Sequence, residues 1–177
     1  MKRDLKQERH ENLFRALDIK KDEDVVILDD LTRTEDGKKE TEEIKEAVKA
    51  ISSGGRLAIA FKNRFSMRNF SGADKDHSFT NEKSFSLKDM KERLNAAGIK
   101  DEDIETFYPY PDHLYPMTIF SDEYLPAVGE LYKGEYIERN DICFFDDIKA
   151  YDEVIKEGMF PFFSPSYLLV CRIKNEK

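Results

Sequence analysis

Two polar segments of this 177-residue sequence carry residue types that could do chemistry. Asp76 and His77 are adjacent in a stretch rich in Ser, Asn, Asp and Lys, and a histidine near a carboxylate can act as a general base. Asn63 and Arg64 come directly after an apolar run. Arginine presents a planar fork of donors suited to a carboxylate or phosphate, and asparagine can bond a sugar hydroxyl. The alternatives, a surface histidine and a polar corner that fixes a loop, stay open.

Two further groups of residues are candidates. Asp29 and Asp30 end a shorter apolar run, where a carboxylate can orient a nucleophile or can simply be a solvated strand end. The aromatic residues near position 110 have polar tips and could stack on a sugar or adenine face, although core packing would produce the same pattern. The members of this aromatic cluster and its polar neighbours are Tyr108, Tyr110, Asp112, His113 and Tyr115.

The elements around these residues predict an α/β fold. Residues 24–30 and 57–61 are apolar runs typical of buried parallel strands, and residues 41–51 between them have the spacing of an amphipathic helix. Gly54 and Gly55 are expected to end that helix, since glycine adopts the left-handed closing conformation. Strand, helix and strand form a βαβ unit, whose ligands bind at the carboxyl ends of the strands.

The rest of the chain is predicted as one domain without a linker. A long polar loop covers 63–84, and Ser86 is the expected N-cap of a helix over 86–97. A strand is predicted over 104–108, ending before Pro109, and a last strand over 166–173. Further helices are expected over 4–17, 122–132 and 146–157.

Composition narrows the function classes. A net charge of −8 argues against nucleic acid or an anionic membrane as the main partner. No apolar run has membrane-spanning length, and the start of the chain is too polar for a signal peptide. Cys143 and Cys171 lack metal-ligand spacing and are predicted to be reduced thiols of a cytoplasmic protein, and no metal site is expected.

Three runs together resemble a known family. GGRLAIAFKNRFSMRNFSGADKDH, SFSLKDMKERLNAAGI and FYPYPDHLYPMTIFSDEYLP are similar to the C-terminal half of class I S-adenosylmethionine-dependent methyltransferases. The resemblance is to the methyltransferase domains found beside glycosyltransferases in bacterial surface-polysaccharide clusters. It implies part of a Rossmann-like sheet, with strands that resemble family strands 4-5-7-6, flanking helices and a helical insertion before the last strand.

The resemblance also implies roles for the candidate residues. Asp76 and His77 would be catalytic, and Asp29 and Asp30 would face the cofactor, S-adenosylmethionine. The residues on the side of the methyl acceptor, a polysaccharide sugar, would be Asn63, Arg64, Tyr108, Tyr110 and Asp112.

One departure from the family affects every one of these roles. The sequence contains no Gly-x-Gly-x-Gly loop, so the half that binds the cofactor has no counterpart in it. Weak or absent cofactor binding is therefore expected, with either a homodimer or a complex with a separate N-terminal half along the exposed edge of the Val25 strand. The alternative is a non-catalytic partner or remnant of a split methyltransferase, and a sugar-binding module is a third possibility.

Overall fold

The computed structural model describes residues 24–72, 83–132 and 144–174. In these ranges the chain is α/β, with a mixed six-stranded sheet and flanking helices. The strands are β1 (Val25–Leu28), β2 (Arg56–Asn63), β3 (Ser84–Phe85), β4 (Ile104–Tyr110), β5 (Thr118–Ser121) and β6 (Ser166–Arg172). The helices are α1 (Lys38–Ala50), α2 (Met67–Phe70), α3 (Leu87–Ala96), α4 (Asp147–Lys156) and α5 (Phe160–Phe163), with a 3₁₀ turn at Asp101–Asp103.

The sheet has the spatial order β1-β2-β6-β4-β5, and β3 pairs with the end of β2. β1 and β2 are parallel, while β6 lies antiparallel between β2 and β4. The mixed sheet with flanking helices confirms the predicted α/β class. β2 was predicted to have parallel neighbours on both sides. The prediction is correct for β1 and wrong for β6, which is antiparallel to β2.

β2 is apolar along its length because both faces are buried. Leu57, Ile59 and Phe61 point to one face and belong to the main core, to which every described helix except the short α2 contributes a fully or nearly buried residue. These helix residues include Ile44, Met90, Leu94, Tyr151 and Phe160. Ala58 and Ala60 point to the opposite face, where they form a smaller cluster with residues of β6. An alternating pattern would have left one face of β2 polar.

The glycines after α1 have a different task from the predicted one. α1 ends at Ala50, and Ile51 is already extended, so Gly54 and Gly55 do not close the helix. Gly54 has a φ of +90° within the turn to β2. A Cβ on Gly55 would lie 2.6 Å from the Asp24 carbonyl oxygen, so this position needs glycine for close backbone approach.

Two other predicted helices are present. Ser86 caps α3 through a capping box, in which its hydroxyl accepts from the Asp89 N–H and the Asp89 carboxylate accepts from the Ser86 N–H. Asp146 caps α4 in the same region as the predicted helix 146–157. The predicted helix 4–17 lies outside the described residues.

The segment after β4 differs most from its prediction. No helix forms over 122–132, because a tight Ser121–Tyr124 turn follows β5 and Pro126 cannot donate a helical hydrogen bond. β5 itself was not predicted. β4 runs on through Pro109 to Tyr110 because its ladder with β5 continues to Tyr110, although its ladder with β6 stops at Phe107. The Ser166 hydroxyl donates to the Pro109 carbonyl.

Candidate functional site

The carboxyl ends of β1 and β2 form one edge of the sheet, as predicted. β1 pairs with the first half of β2, and β3 pairs with its last two residues. Both pairs are parallel. Asp29 and Asp30 follow β1 directly and so leave the sheet at this edge. Lys83, directly before β3, forms an ion pair with Asp30. Asp30 therefore ties the end of β1 to the segment that returns to β2.

Asn63, the last residue of β2, is only 1% exposed. Its side-chain N–H groups donate to the carbonyl oxygens of Phe162 and Ser164, both at 2.8 Å. Its side-chain oxygen accepts from the Phe65 N–H at 2.9 Å. This placement favours the structural alternative for Asn63: a polar corner that joins the end of β2 to the segment before β6.

Arg64 is partly exposed beside this corner. Its Nη1 lies 3.9 Å from a carboxylate oxygen of Asp89, and its guanidinium carbon lies 6.0 Å from the centre of the Phe65 ring. The Phe65 ring in turn stacks on Phe162, with ring centres 5.5 Å apart and planes 12° apart. Arg64 therefore places a cation at the border of an aromatic surface.

Arg64 and Phe65 line a cavity of about 800 Å³, a size typical of small-molecule sites. We call it the Arg64 cavity. Phe65, Leu87, Phe162 and Tyr167 supply apolar wall, and the first turns of α3 supply charged rim. Its lining residues are Arg64, Phe65, Ser86, Leu87, Lys88, Asp89, Lys91, Glu92, Asn95, Asp101, Pro161, Phe162 and Tyr167. Such a cavity suits a ligand with an apolar face and a polar border.

The short helix α2 anchors the segment that follows Arg64. Ser66 caps α2 and its hydroxyl lies 3.3 Å from the Tyr151 hydroxyl of α4. Arg68 approaches the buried Asp147 carboxylate at 4.0 Å and donates to the Pro111 carbonyl at 3.5 Å. Burial raises the pKa of Tyr151 far above its ordinary value, so this phenol is a neutral structural group.

The predicted aromatic cluster is divided by the structure. Tyr108 and Tyr110 are 2% and 3% exposed, so neither offers a ring face to a ligand. Tyr108 donates to the Asp122 carboxylate, and Tyr110 donates to the Tyr132 carbonyl at 2.8 Å. Burial, with the Asp122 carboxylate, raises the pKa of Tyr108 well above its ordinary value. Core packing, the alternative left open by the sequence, accounts for both rings.

Asp112 shapes the loop after β4. One of its carboxylate oxygens accepts from the N–H groups of Leu114 and Tyr115, at 2.8 and 2.9 Å. This is the hydrogen-bond pattern of an Asx turn. His113 is buried beside it, at 5% exposure, while Tyr115 is exposed. The placement gives Asp112 a local structural task.

The predicted catalytic residues Asp76 and His77 lie outside the described residues, as does Cys143. Cys171 is buried in β6, and burial raises the pKa of its thiol to about 12. Within the described ranges, no group of three His, Cys, Asp or Glu residues is arranged to hold a metal ion. None of the helices in those ranges is long and apolar enough to cross a bilayer.

The sequence reasoning missed a buried pair near this edge. Glu40, in the first turn of α1, is fully buried and accepts from both the N–H and the hydroxyl of Thr34 at 2.5 Å. Arg93 of α3 lies 3.5 Å from the same carboxylate. The predicted helix began at residue 41, so Glu40 was interpreted as part of a charged run before the helix and not as a buried residue of its first turn. With the helix starting at Lys38, Glu40 can reach back to the loop.

No protein-family model, curated protein or solved structure matches this chain.

Proposed function

We propose that this chain forms the acceptor side of a class I S-adenosylmethionine-dependent methyltransferase fold, acting on or associated with sugars of a surface polysaccharide. The observation that carries the proposal is the sheet order. β1, β2, β6 and β4 are consecutive neighbours in the sheet and would correspond to strands 4, 5, 7 and 6 of that fold; β6, the last described strand, lies antiparallel between β2 and β4, which both precede it. In the proposal, the carboxyl ends of β1 and β2 form the ligand side, as in other open α/β sheets.

The residues at that edge have distinct roles in the proposal. Asp29 and Asp30 face the cofactor side, and Asp30 is held in place by Lys83. The Arg64 cavity is the acceptor side, where the rings of Phe65 and Phe162 give a sugar an apolar surface to pack on. His77, with the neighbouring Asp76, remains the proposed general base. Asn63, Tyr108 and Tyr110, which were expected to bind the acceptor, are buried. The proposal therefore assigns acceptor binding to the Arg64 cavity.

Gly37 and Gly55 do not fit the amino-acid end of S-adenosylmethionine. That end normally needs a glycine turn whose backbone N–H groups can approach it closely. Gly37 precedes α1, but a Cβ there would lie 2.9 Å from a guanidinium nitrogen of Arg93, so the space is filled by this chain. Gly55 packs against Asp24 and Ile51 in the same way. The chain alone is therefore expected to bind the cofactor more weakly than about 10 μM, roughly −7 kcal/mol.

The same misfit favours a second candidate function. A chain without a glycine cradle would serve as a non-catalytic partner or remnant of a split methyltransferase, in which the fold is kept and the cofactor contacts are lost. The two candidates differ in what remains at the end of β1. A working acceptor half keeps a weak contact between the cofactor and the residues that follow β1, whereas a remnant has none.

Amide NMR with S-adenosylhomocysteine, up to about 5 mM, separates the two candidates. For the acceptor half we expect weak, saturable shifts confined to Asp29, Asp30 and Leu31. Asp29→Asn should reduce these shifts, while Glu102→Gln, in the exposed 3₁₀ turn before β4 and outside the Arg64 cavity, should leave them unchanged. The methyltransferase proposal fails if no shift reaches this edge or if the shifts are spread over the surface, and the first outcome supports the remnant.

A further inference from the structure

A second surface follows β5 and shares no residue with the Arg64 cavity. Tyr124 is 60% exposed there, and Leu125 and Val128 beside it are exposed as well. Single exposed apolar residues are ordinary on a protein surface, but here three lie within five positions of the chain.

The Tyr124 ring is held in one orientation. Its ring lies nearly parallel to that of the buried Phe120, at 18° and 6.1 Å between centres, so one ring face is supported by the core. Its hydroxyl donates to Glu130 at 3.0 Å, and the other oxygen of Glu130 accepts from the Ala127 N–H at 2.7 Å. The backbone groups of Ser121 and Tyr124 bond each other in both directions, at 3.0 and 3.1 Å. An ordered exposed ring is thus presented to solvent.

The surroundings of the ring are acidic. Residues 121–132 include Asp122, Glu123 and Glu130 and no lysine or arginine. Asp152 of α4 is a fourth carboxylate near this segment, since it accepts from the Gly129 N–H at 2.8 Å, although Lys156 of the same helix interacts with its charge. The hydrogen bond from the Tyr124 hydroxyl to a carboxylate also leaves the ring richer in electrons, which strengthens its attraction for a cation.

This arrangement contributes little to the stability of the fold. Hydrogen bonds and charges at the surface are worth little because water competes for them, and repelling carboxylates oppose one another. A fixed aromatic face with carboxylates nearby is, by contrast, an arrangement that recognises an ammonium or guanidinium group.

We propose that Tyr124 and the carboxylates around it, which we call the Tyr124 platform, bind a basic segment of a partner protein. A lysine or arginine side chain of that segment lies across the open face of Tyr124. Apolar side chains of the segment pack on Leu125 and Val128, and Glu123 and Glu130 attract its remaining positive charges. Charge complementarity selects this partner over a neutral saccharide, which would use the ring but would gain nothing from the acidic border.

The test uses a synthetic amphipathic peptide of lysine and leucine, with a matched peptide of glutamate and leucine. We expect amide NMR shifts centred on residues 120–130 and a Kd on the order of 100 μM at low salt. Affinity should fall about tenfold in roughly 0.5 M NaCl, because exposed charges are screened. The glutamate peptide should not bind.

Variants identify the ring as the recognition element. Tyr124→Leu keeps apolar area but removes the ring face, and it should weaken binding about threefold or more. Tyr124→Phe should keep most of the affinity, and Glu130→Gln, which removes a charge but keeps an acceptor, should weaken it. Tyr115→Leu is the matched control, because Tyr115 is exposed to nearly the same extent, 59%, on another loop.

Three results would overturn the proposal: unchanged affinity in a folded Tyr124→Leu, shifts outside the platform, or a neutral oligosaccharide that binds the platform as tightly as the basic peptide. Thermal unfolding of each variant shows that it is folded, and Glu130→Gln provides a second test if Tyr124→Leu is not.

Discussion

Glu40 of α1 and Arg93 of α3 form an ion pair, 3.5 Å apart, in which the carboxylate is fully buried and the guanidinium nearly so. The two side chains make further contacts with three other residues. Glu40 accepts from Thr34 in the loop after β1, and Arg93 donates to the Asp89 carbonyl and lies over the Phe85 ring of β3. The pair therefore joins the loop after β1 to β3 and to α3, and α3 borders the Arg64 cavity.

Replacing Glu40 with glutamine should destabilise the fold. The Glu40→Gln variant would keep the size of the side chain but would leave the Arg93 guanidinium without a buried counter-charge, and we expect a loss of about 2 kcal/mol. Glu43→Gln, on the exposed side of the same helix, should change stability by less than about 0.5 kcal/mol. Urea unfolding of both variants checks this. Equal, small effects would show that the buried pair is not needed.

The same carboxylate predicts sensitivity to acid. Burial acts to raise the pKa of Glu40, but the Thr34 hydrogen bonds and the Arg93 charge outweigh it, and the pKa lies below its ordinary value of 4.5. A lowered pKa in the folded state stabilises the protein above the ordinary value, and this stabilisation is lost as the pH falls through the folded-state pKa.

Urea unfolding at several pH values from about 7 to about 3 measures this contribution, because the loss begins near 4.5 and continues below it. Stability should fall with pH less steeply in Glu40→Gln than in the wild type. Some acid sensitivity should remain, because the pKa of Asp24 is also lowered, by a hydrogen bond from the Ser52 N–H. Parallel pH profiles for the two proteins would contradict the prediction.

Asn63 and Arg64 are neighbours with opposite expected behaviour. Asn63→Ala removes two donors and one acceptor from a buried corner, and we expect a loss of about 2–4 kcal/mol. Arg64→Met keeps the aliphatic packing and loses only partly exposed charge contacts, so the loss should stay below about 1 kcal/mol. Urea denaturation of the two variants decides between them. A larger loss for Arg64→Met would assign the structural role to the wrong residue.

The sequence predicted those parts of the fold whose signals are local. The apolar run of β2 and the Ser86 capping signal depend on residue types within a few positions, and both predicted elements are present. β5 depends instead on its pairing with β4, where Phe120 lies opposite Tyr108. The four residues of β5 do not by themselves indicate which strand they pair with. The helix predicted over 122–132 is wrong for a different, local reason: the Ser121–Tyr124 turn bonds and Pro126 outweigh helix propensity.

The sequence predicted the edge of the sheet at which Asn63 and Arg64 lie, but not what each side chain contacts there. The edge formed by β1 and β2 follows from strand direction, which the βαβ pattern gives. Whether Asn63 faces a ligand depends on carbonyl groups about a hundred positions away, at Phe162 and Ser164. The Arg64 cavity likewise needs Phe162 beside Phe65, a long-range contact that residue spacing does not encode.

The last prediction concerns the edge of β1, which is the first strand in the sheet order and pairs only with β2 among the described strands. Arg56 donates its N–H to the Asp24 carbonyl, and the parallel register continues from Val25 opposite Arg56. In this register the backbone groups of Val26 and Leu28 face β2, and those of Val25 and Ile27 face away from it. Such an apolar edge favours pairing with a further strand.

We therefore expect a homodimer, or a complex with a separate N-terminal half, built along this edge. Light scattering should show self-association of the wild type at about 100 μM, roughly the range of a weak interface. Ile27→Lys should be monomeric, since a lysine on an edge strand opposes pairing. Thr118→Lys, on the opposite edge of the sheet, should associate like the wild type.

Amide hydrogen exchange tests the geometry even if Ile27→Lys is poorly folded. In the wild type the Val26 and Leu28 amides should be protected at every concentration, because β2 accepts from them. The Val25 and Ile27 amides should become protected only as the concentration rises through the range of association. Protection of these two that does not change with dilution, or a wild type that stays monomeric while they exchange fast, would show that no second strand from another molecule pairs with β1.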